Sequence, residues 1–572
     1  MYYTNQSSTS VTLVSIIEND HSSDAVLLNT FVIRKKRCRV YFHRGTLIWE
    51  TERKMNKEMC IASNYTNDSY NVTCHTKKLI KYRSMKRFVY KNLFKKTIFT
   101  PFSFFPKKAR WKLPLTDVLA ARYTDDGDQE IIDEKLIAPT SFVLHYAARG
   151  PKNKWSHHSV RMSHTDSRQV ASWVKTIRNY LTGLTHRPRK IMFFVNPVGG
   201  KKRGLKIWER EVQPLLTIAG IETKVMVTER AGHIRDTLMT CNLDDIQAVA
   251  CVGGDGTFSE VFNGLVLRTL KDKEIDPNDP EIVLPPPKLP VGVIPSGSTD
   301  TVAYSLHGTT DVQTAALHII FGDTTGLDLS SVHNNHSLLR LYASVLSYGY
   351  LGDVMKDSEK FRWMGPQRYD YSGFKKIIAN KGYEGEIHLL SDPCHPAGST
   401  RCTENCTRCS EHMLHNDSDK EISRWLTVRG KFFMVNGANV SCACERSPLG
   451  FSPHCHIGDG CVDLILIRHT TFFNNIKMLL RLSSKHKNLY DLPFVEVYRA
   501  REFTFRPLPN DIHHPSDNIG MNRSRNLPDI SVWNCDGEVI QDSNLKIRVH
   551  CQLLKVYTRR IQDAIEDTSC FC

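Results

Sequence analysis

The chain has 572 residues, with 76 Lys and Arg against 60 Asp and Glu, a formal surplus of 16 positive charges. At 41% hydrophobic and 24% charged residues it has the length and apolar content for several globular domains, which excludes a wholly disordered chain. The positive surplus suits phosphate, nucleic acid or an anionic membrane face and selects none of them.

Residues 1–25 are polar, lack the apolar core of a secretory signal, and read as a flexible tail. No apolar run is long enough to cross a bilayer, and Asn-x-Ser/Thr at Asn5, Asn64, Asn67 and Asn71 reads as chance without an export signal. FVIRKKRCRVYFHRGTLIWE (31–50) alternates apolar and basic residues around His43-Arg44-Gly45, a hairpin pattern. Residues 55–110 turn strongly basic, with KKLIKYRSMKRFVYKNLFKK at 77–96. This segment is either an exposed insertion or a membrane-facing patch, because Phe, Tyr and Leu interleave with the cations. Strand text follows at 129–137 and 141–147, then a helix at 168–182 with Trp173, Ile177 and Leu181 on one face. Strands closed by one helix resemble a pleckstrin-homology domain. Residues 26–185 are therefore expected to form a pleckstrin-homology-like β-barrel with a C-terminal helix, docking on membranes.

From residue 186 to about 325 the text alternates. Apolar strands at 190–195, 221–229, 248–253 and 290–295 are separated by helical patterns at 204–220, 233–243, 256–270 and 310–321. That spacing predicts an α/β lobe with parallel strands. From 326 to 560 the text is strand-rich and predicts a mostly antiparallel β lobe, interrupted by a Cys-rich loop at 391–422 and a polar insertion at 507–530. Residues 561–572 read as a tail.

Three strands of the α/β lobe run into glycine loops: NPVGG (196–200), GGDG (253–256) and PSGSTD (295–300). Glycines there let backbone amides approach phosphates, and the following helix points its positive end at the same anion. There is no Walker loop, no GxGxxG fingerprint, no protein-kinase HRD and DFG pair, and no Cys/His zinc-hydrolase pattern. Asp255, an acid beside a phosphate loop, suits a general base on an alcohol, an Mg²⁺ ligand, or both; a turn-forming aspartate is the plainer alternative.

With NPVGG, TERAGH (228–233), GGDGT with Glu260, PSGSTD, GYLGDVMKDSEKFRWMGPQRYDYSG (349–373) and WNCDGE (533–538) in this order, residues 190–555 resemble the diacylglycerol/sphingosine-type lipid kinases. SSVH, DSEK, RYD and CTENCTRC bring the text nearest the ceramide kinase branch. The resemblance implies a two-lobed kinase that uses ATP and Mg²⁺ to phosphorylate ceramide. Sphingosine or diacylglycerol kinase activity is the alternative, and so is a non-catalytic ceramide-kinase-like membrane protein.

It also implies roles. Asp255 would be the catalytic base, and Gly253, Gly254 and Gly256 would lie between ATP and the acceptor. Asn196, Pro197, Val198, Gly199 and Gly200 would contact nucleotide phosphates. Thr228, Glu229, Arg230, Ala231 and Gly232 would line the adenine and ribose. Glu260 would steady the nucleotide, with Gly297, Ser298 and Thr299 at its phosphates or ribose. Arg362 and Arg368 would offset phosphate charge. Asp536, Gly537 and Glu538 would complete the nucleotide shell, the two acids acting on Mg²⁺ indirectly. Asp353 would meet the acceptor. Met355 stands where sphingosine kinases carry an acid for the sphingoid head, which suits a substrate without a free ammonium.

Seventeen cysteines in so long a chain read as reduced thiols with one local feature. Cys402, Cys406 and Cys409 could hold zinc, with His395, His412 and His415 competing for the fourth position and Cys394, Cys442 and Cys444 elsewhere. The basic stretches 31–44 and 77–96 are candidate contacts with anionic phospholipid headgroups. No nucleic-acid reader module is visible. ISRWLTVRGKFFMV (422–435) mixes basic and apolar residues as a calmodulin target would, and the resemblance implies a Ca²⁺–calmodulin response; a plain strand explains the same text. The resemblance further implies a cytoplasmic protein held peripherally on Golgi and plasma membranes.

Overall fold

The computed structural model describes residues 27–52, 110–124, 139–200, 202–365, 367–392, 401–411, 424–508 and 530–561. The alternating text after residue 26 becomes β1 (Leu27–Ile33), β2 (Lys36–His43), β3 (Thr46–Thr51), β4 (Arg110–Pro114), β5 (Val118–Tyr123), β6 (Ser141–Arg149) and β7 (Trp155–Ser163). They form one antiparallel sheet in the order β4-β3-β2-β1-β7-β6-β5. Helix α1 (Ser167–Gly183) buries Val170, Trp173, Val174 and Ile177, with Trp173 edge-on to Phe31.

The expected β-barrel is overturned. The pairing path ends at β4 and β5, and among the described residues no ladder joins them. A 3-10 turn, Leu115–Asp117, separates the two strands. The carbonyls of Thr116 and Val118 already accept hydrogen bonds from Arg187, at 2.6 and 2.8 Å. The sheet is open, with its β5 end turned towards the next unit. The basic stretch 77–96 and the strand expected at 129–137 lie outside the described residues.

The alternating region folds as β8 (Lys190–Val195), α2 (Gly204–Ile207), α3 (Gln213–Ala219), β9 (Glu222–Val227), α4 (His233–Thr240), β10 (Ala248–Gly253), α5 (Asp255–Asp272), β11 (Val291–Pro295), α6 (Thr301–His307) and α7 (Val312–Phe321). A π-helical turn at Trp208–Val212 joins α2 to α3, with the Gln213 N–H bonded to the Trp208 carbonyl. Pro214 brings no N–H of its own, so the ladder is disturbed just here. The strands are parallel in the order β9-β8-β10-β11. Both faces of β8, β10 and β11 are covered, which is why their text is continuously apolar, whereas the edge strand β9 is largely exposed and mixes Glu222, Thr223 and Lys224 with its apolar residues. Met192, Phe194, Val249 and Cys251 pack under α4, α5 and α6; Ile191, Phe193, Ala250 and Val252 pack under α3 and α7.

The remainder forms β12 (Thr324–His333), β13 (Leu338–Tyr342), β14 (Val345–Gly349), α8 (Tyr350–Ser358), α9 (Gln367–Ala379), β15 (Tyr383–Ser391), α10 (Thr407–Glu411), β16 (Arg424–Ala438), β17 (Val462–Arg468), α11 (Phe472–Leu482), β18 (Val495–Pro507), β19 (Trp533–Cys535), β20 (Glu538–Ile540) and β21 (Leu545–Tyr557). These strands pair antiparallel around a core that includes Tyr348, Phe505 and Trp533. A parallel bridge between Val291 and Val556 joins them to the α/β strands in one sheet of 14. Within the strand-rich text, the run 338–353 turns into α8 at Gly349, whose φ of +84° and close approach to the Phe433 carbonyl admit only glycine.

The seven-stranded sheet docks on the α/β unit through an apolar cluster that joins Leu119, Ala147 and Trp155 to Leu317, Phe321 and Tyr557, and through polar contacts. The Trp155 N–H donates to Thr314 Oγ1 at 2.9 Å. Arg559 pairs with Asp117 at 2.5 Å and Asp323 at 2.6 Å while lying over the Phe321 ring. Among the described residues no helix is long and apolar enough to cross a membrane.

Candidate active site at the carboxyl ends of the parallel strands

The strand order reverses between β8 and β10: β9 is added on one side and β11 on the other, all four strands running parallel. Open α/β sheets bind ligands in the crevice outside such a switch point. The loops that follow β8, β10 and β11 meet there in backbone contact. A Cβ on Gly200 would stand 2.5 Å from the Ser296 carbonyl, and one on Gly254 would stand 2.9 Å from Gly297 Cα. A Cβ on Gly256 would meet nothing within 4 Å, so this glycine opens on free space at the first turn of α5.

Asn196 ties the first loop to the second. Its Nδ2 donates to Thr257 Oγ1 at 2.9 Å, and its Oδ1 accepts from the N–H groups of Val198 and Gly199, both at 3.0 Å. Pro197 continues this turn, and Val198 is 70% exposed at its tip. Asp255 ties the second loop to the third. Its carboxylate accepts from the N–H groups of Thr301 and Val302, at 3.0 and 2.9 Å, and from Thr299 Oγ1 at 3.1 Å. It thereby caps α6 from another segment, a contact that no local pattern encodes. Ser298 and Thr299 are exposed beside it.

Glu260, one turn into α5, accepts from the Gly232 N–H at 3.0 Å. This holds the 228–232 loop at the same end of the sheet, where Arg230 pairs with Asp236 at 2.6 Å. Thr228 closes the strand end by donating to the Val195 carbonyl, and the Glu229 N–H donates to His233 Nδ1; Ala231 is exposed.

Asp300 was not singled out from the sequence, although PSGSTD ends on it. Its backbone is left-handed, φ +51°, and its Oδ1 accepts from the Gly297 N–H at 2.8 Å. Burial pushes its carboxyl up to about 7, and the charge of Asp255 adds to that rise. Because the folded value lies above the unfolded one, the contribution of the protonated acid is complete below about pH 4 and is lost as pH rises through about 7. Between pH 5 and 8.5 the wild type is expected to lose on the order of 3 kcal/mol relative to Asp300→Asn, read by denaturant titration. Parallel stability curves for the two proteins would count against this.

The DGE segment meets the site through β13. Asp536 (φ +47°) is buried, and its carboxylate accepts from the N–H groups of Ala343, Ser344 and Val345 at 2.8, 3.0 and 2.9 Å. Burial pushes it up to about 6 against the pull of those amides. Gly537 turns the chain at φ +93°. Glu538 pairs with Arg340, whose guanidinium also donates to Ser259 of α5 at 3.1 Å. Arg340 therefore links the DGE turn to the helix that begins at Asp255; nothing in its local text marks it.

Asp353, in the first turn of α8, accepts from Tyr383 and from Ser531 Oγ, the latter at 2.7 Å. Met355 is partly buried on the same helix. Arg368 pairs with Glu359 at 3.3 Å and lies over the Tyr369 ring. The side chain of Arg362 lies outside the described residues, as do Cys394, His395, His412 and His415. Cys402, Cys406 and Cys409 converge on His456 from the loop before β17, a residue that sequence spacing did not bring to them. Cys442 is buried under Ser344 and Cys444 lies in a tight turn.

Asp255 and Asp300 supply hard oxygen donors, and the hydroxyl of Ser296 is buried with no partner among the described residues. That donor set fits Mg²⁺. The glycine loops and the open first turn of α5 fit a polyphosphate. Residues 190–332 match the family described as Diacylglycerol kinase catalytic domain, which places the fold and site in the class of ATP-dependent lipid kinases. Residues 344–572 match the family described as Ceramide kinase C-terminal domain. Human "Ceramide kinase" is 39% identical over 487 residues, covering 79% of this chain and 89% of that protein. The chain belongs to the ceramide kinase family. Human "Ceramide kinase-like protein" is 29% identical, over 73% of this chain and 74% of its own length. A solved diacylglycerol kinase from Bacillus anthracis aligns with a TM-score of 0.42 at 14% identity, over 65% of this chain and 97% of that one.

Proposed function

We propose that the chain transfers the γ-phosphoryl group of ATP to the primary hydroxyl of ceramide, giving ceramide 1-phosphate and ADP, with Asp255 as the base. The observation that carries this reading is the closure of three glycine loops around Asp255 at the switch point. Asp255 takes the hydroxyl proton as that oxygen attacks phosphorus. The amides of the first turn of α5 face the charge on the transferring group. The 196–200 loop, Gly297, Ser298 and Thr299 hold phosphates, and the 228–232 loop lines the nucleoside side, positioned by Glu260. Asp255, Asp300 and Ser296 would hold Mg²⁺, which neutralises phosphate charge when bound. Asp536 and Glu538 act on it at one remove, by fixing β13 and Arg340. Arg368 offsets phosphate charge on leaving Glu359, with Arg362 beside it in the chain. Asp353 shapes the acceptor side through Tyr383 and Ser531.

The division of labour follows the chain: membrane docking by residues 26–185, nucleotide by 186–325, lipid by 326–560, with tails at 1–25 and 561–572. Ceramide lies in a bilayer, so the enzyme works at a membrane surface, and Golgi and plasma membranes are the proposed sites. Trp363, Phe374, Ile378, Phe473 and Leu480 are each more than half exposed on or beside α9 and α11, among exposed Lys375, Lys477 and Lys485. This mixture suits an anionic lipid surface. Calmodulin, and Ca²⁺ through it, would need Arg424–Ala438 to leave the sheet, since that segment is β16 and pairs with β15 and β17. Loss of calcium-dependent activation on adding excess calmodulin-binding peptide would support that contact.

The test is phosphate transfer from labelled ATP to ceramide, sphingosine and diacylglycerol, in micelles and in anionic vesicles. Label is expected on ceramide. The Trp363→Ala/Phe374→Ala/Phe473→Ala variant should lose at least about tenfold on vesicles and little on micelles. Label on another lipid moves the substrate, and no label on any lipid refutes the reading.

A further inference from the structure

We propose that Cys402, Cys406, Cys409 and His456 hold one zinc ion in a closed, structural site, independent of the kinase reading. The three cysteines lie on the short described segment before and within α10, and His456 lies about 50 residues later in the loop before β17. One donor atom from each residue falls within 4.8 Å of the other three. Cys402 Sγ and Cys409 Sγ are 3.6 Å apart, and Cys406 Sγ is 3.1 Å from His456 Nδ1. A tetrahedral site with Zn–S near 2.3 Å and Zn–N near 2.0 Å has edges of roughly 3.5–3.8 Å, so these two edges lie within tenths of an ångström of those in a coordination shell.

The donor chemistry selects the metal. Three thiols and an imidazole are soft and borderline ligands, which suit zinc and exclude Mg²⁺ or Ca²⁺. All three thiols are free. A disulfide between any two would strand the third and leave His456, 1% exposed, without a task.

The surroundings fit a metal–thiolate centre with a net negative charge. Arg560 donates to Cys402 Sγ at 2.6 Å, and the Ile457 N–H donates to the same sulfur at 3.4 Å. Gln552 donates to the carbonyls of Cys409 and Gly458, at 2.7 and 2.8 Å, and so ties both halves of the cluster together. Such outer contacts orient ligands and tune their charge. With four protein donors there is no open position for a reacting water.

The ion would staple distant parts of the chain. The Glu404 N–H donates to the Ile561 carbonyl at 2.8 Å, and the Glu404 side chain reaches Arg149 of β6 at 4.0 Å. The cluster therefore sits where the end of β21, the β17 loop and the seven-stranded sheet come together.

Metal analysis of the full chain, purified without added metal or chelator, is expected to give about one zinc per chain. Cobalt exchanged into the site should show tetrahedral thiolate bands. His456→Ala should weaken zinc binding by at least about tenfold, and His456→Cys should restore it with a cobalt spectrum shifted towards four sulfurs. Zinc well below stoichiometry in folded protein, a Cys402–Cys409 disulfide found by mass spectrometry, or zinc content unchanged in folded His456→Ala would each overturn the proposal. None of these readings depends on lipid phosphorylation, so failure here leaves the kinase reading standing, and the reverse.

Discussion

Asp255→Asn is expected to lower kcat for lipid phosphorylation by roughly 10³-fold, within the range that a positioned general base contributes. The substitution preserves shape and removes the ability to take a proton. It also disturbs the cap on α6. One amide oxygen can still accept from Thr301 or Val302, but the new NH₂ faces the remaining donor. That mismatch should cost about 1–2 kcal/mol, a shift of a few degrees in Tm, which leaves the fold intact. ATP binding, measured by calorimetry without Mg²⁺, should change little, because the substitution leaves the backbone amides of the glycine loops in place. A drop in kcat at unchanged nucleotide affinity identifies the base. A loss of kcat below tenfold in folded protein would remove Asp255 from that role, and a loss of ATP binding even without Mg²⁺ would make it a brace of the loops rather than the base.

The carboxyl ends of β8, β10 and β11 were legible in the sequence because two demands coincide there. A strand covered on both faces must be apolar throughout, and a loop packed backbone to backbone must be glycine. FFVNPVGG, ACVGGDG and GVIPSGS each carry both signals. What those loops do to one another was not legible. Asp255 caps a helix 46 residues away, Asn196 reaches Thr257, and Glu260 holds Gly232. Each is a pairing of segments that only the sheet order brings together, and so is the meeting of His456 with three cysteines. The open edge of the first sheet has the same origin. Alternation specifies which face of β5 is buried, but the fate of its edge depends on Arg187 and Arg559, which come from later in the chain. The short helices α6 and α8 were missed for a related reason. One is capped by a distant carboxylate, and the other begins at a glycine inside strand-like text.

Asp536→Ala is expected to destabilise the protein by roughly 3–6 kcal/mol, the summed effect of leaving three buried amides without an acceptor. The amides of Ala343, Ser344 and Val345 form the corner between β13 and β14, and among the described contacts the Asp536 carboxylate accepts from all three. At pH 7–8 the carboxyl is ionised, since its value is about 6, and ionised is the form that three donors require. Losing the corner should also lower activity at temperatures where the variant stays folded, because β13 carries Arg340 to Ser259 and Glu538. Glu538→Gln separates the two effects. Glu538 is 59% exposed on its side chain, so this change should alter stability by less than about 1 kcal/mol while weakening its hold on Arg340. Denaturant titration of both variants decides the matter. An Asp536→Ala protein within about 1 kcal/mol of wild type would mean that the corner finds other acceptors. Asp536 would then be free to meet the metal directly.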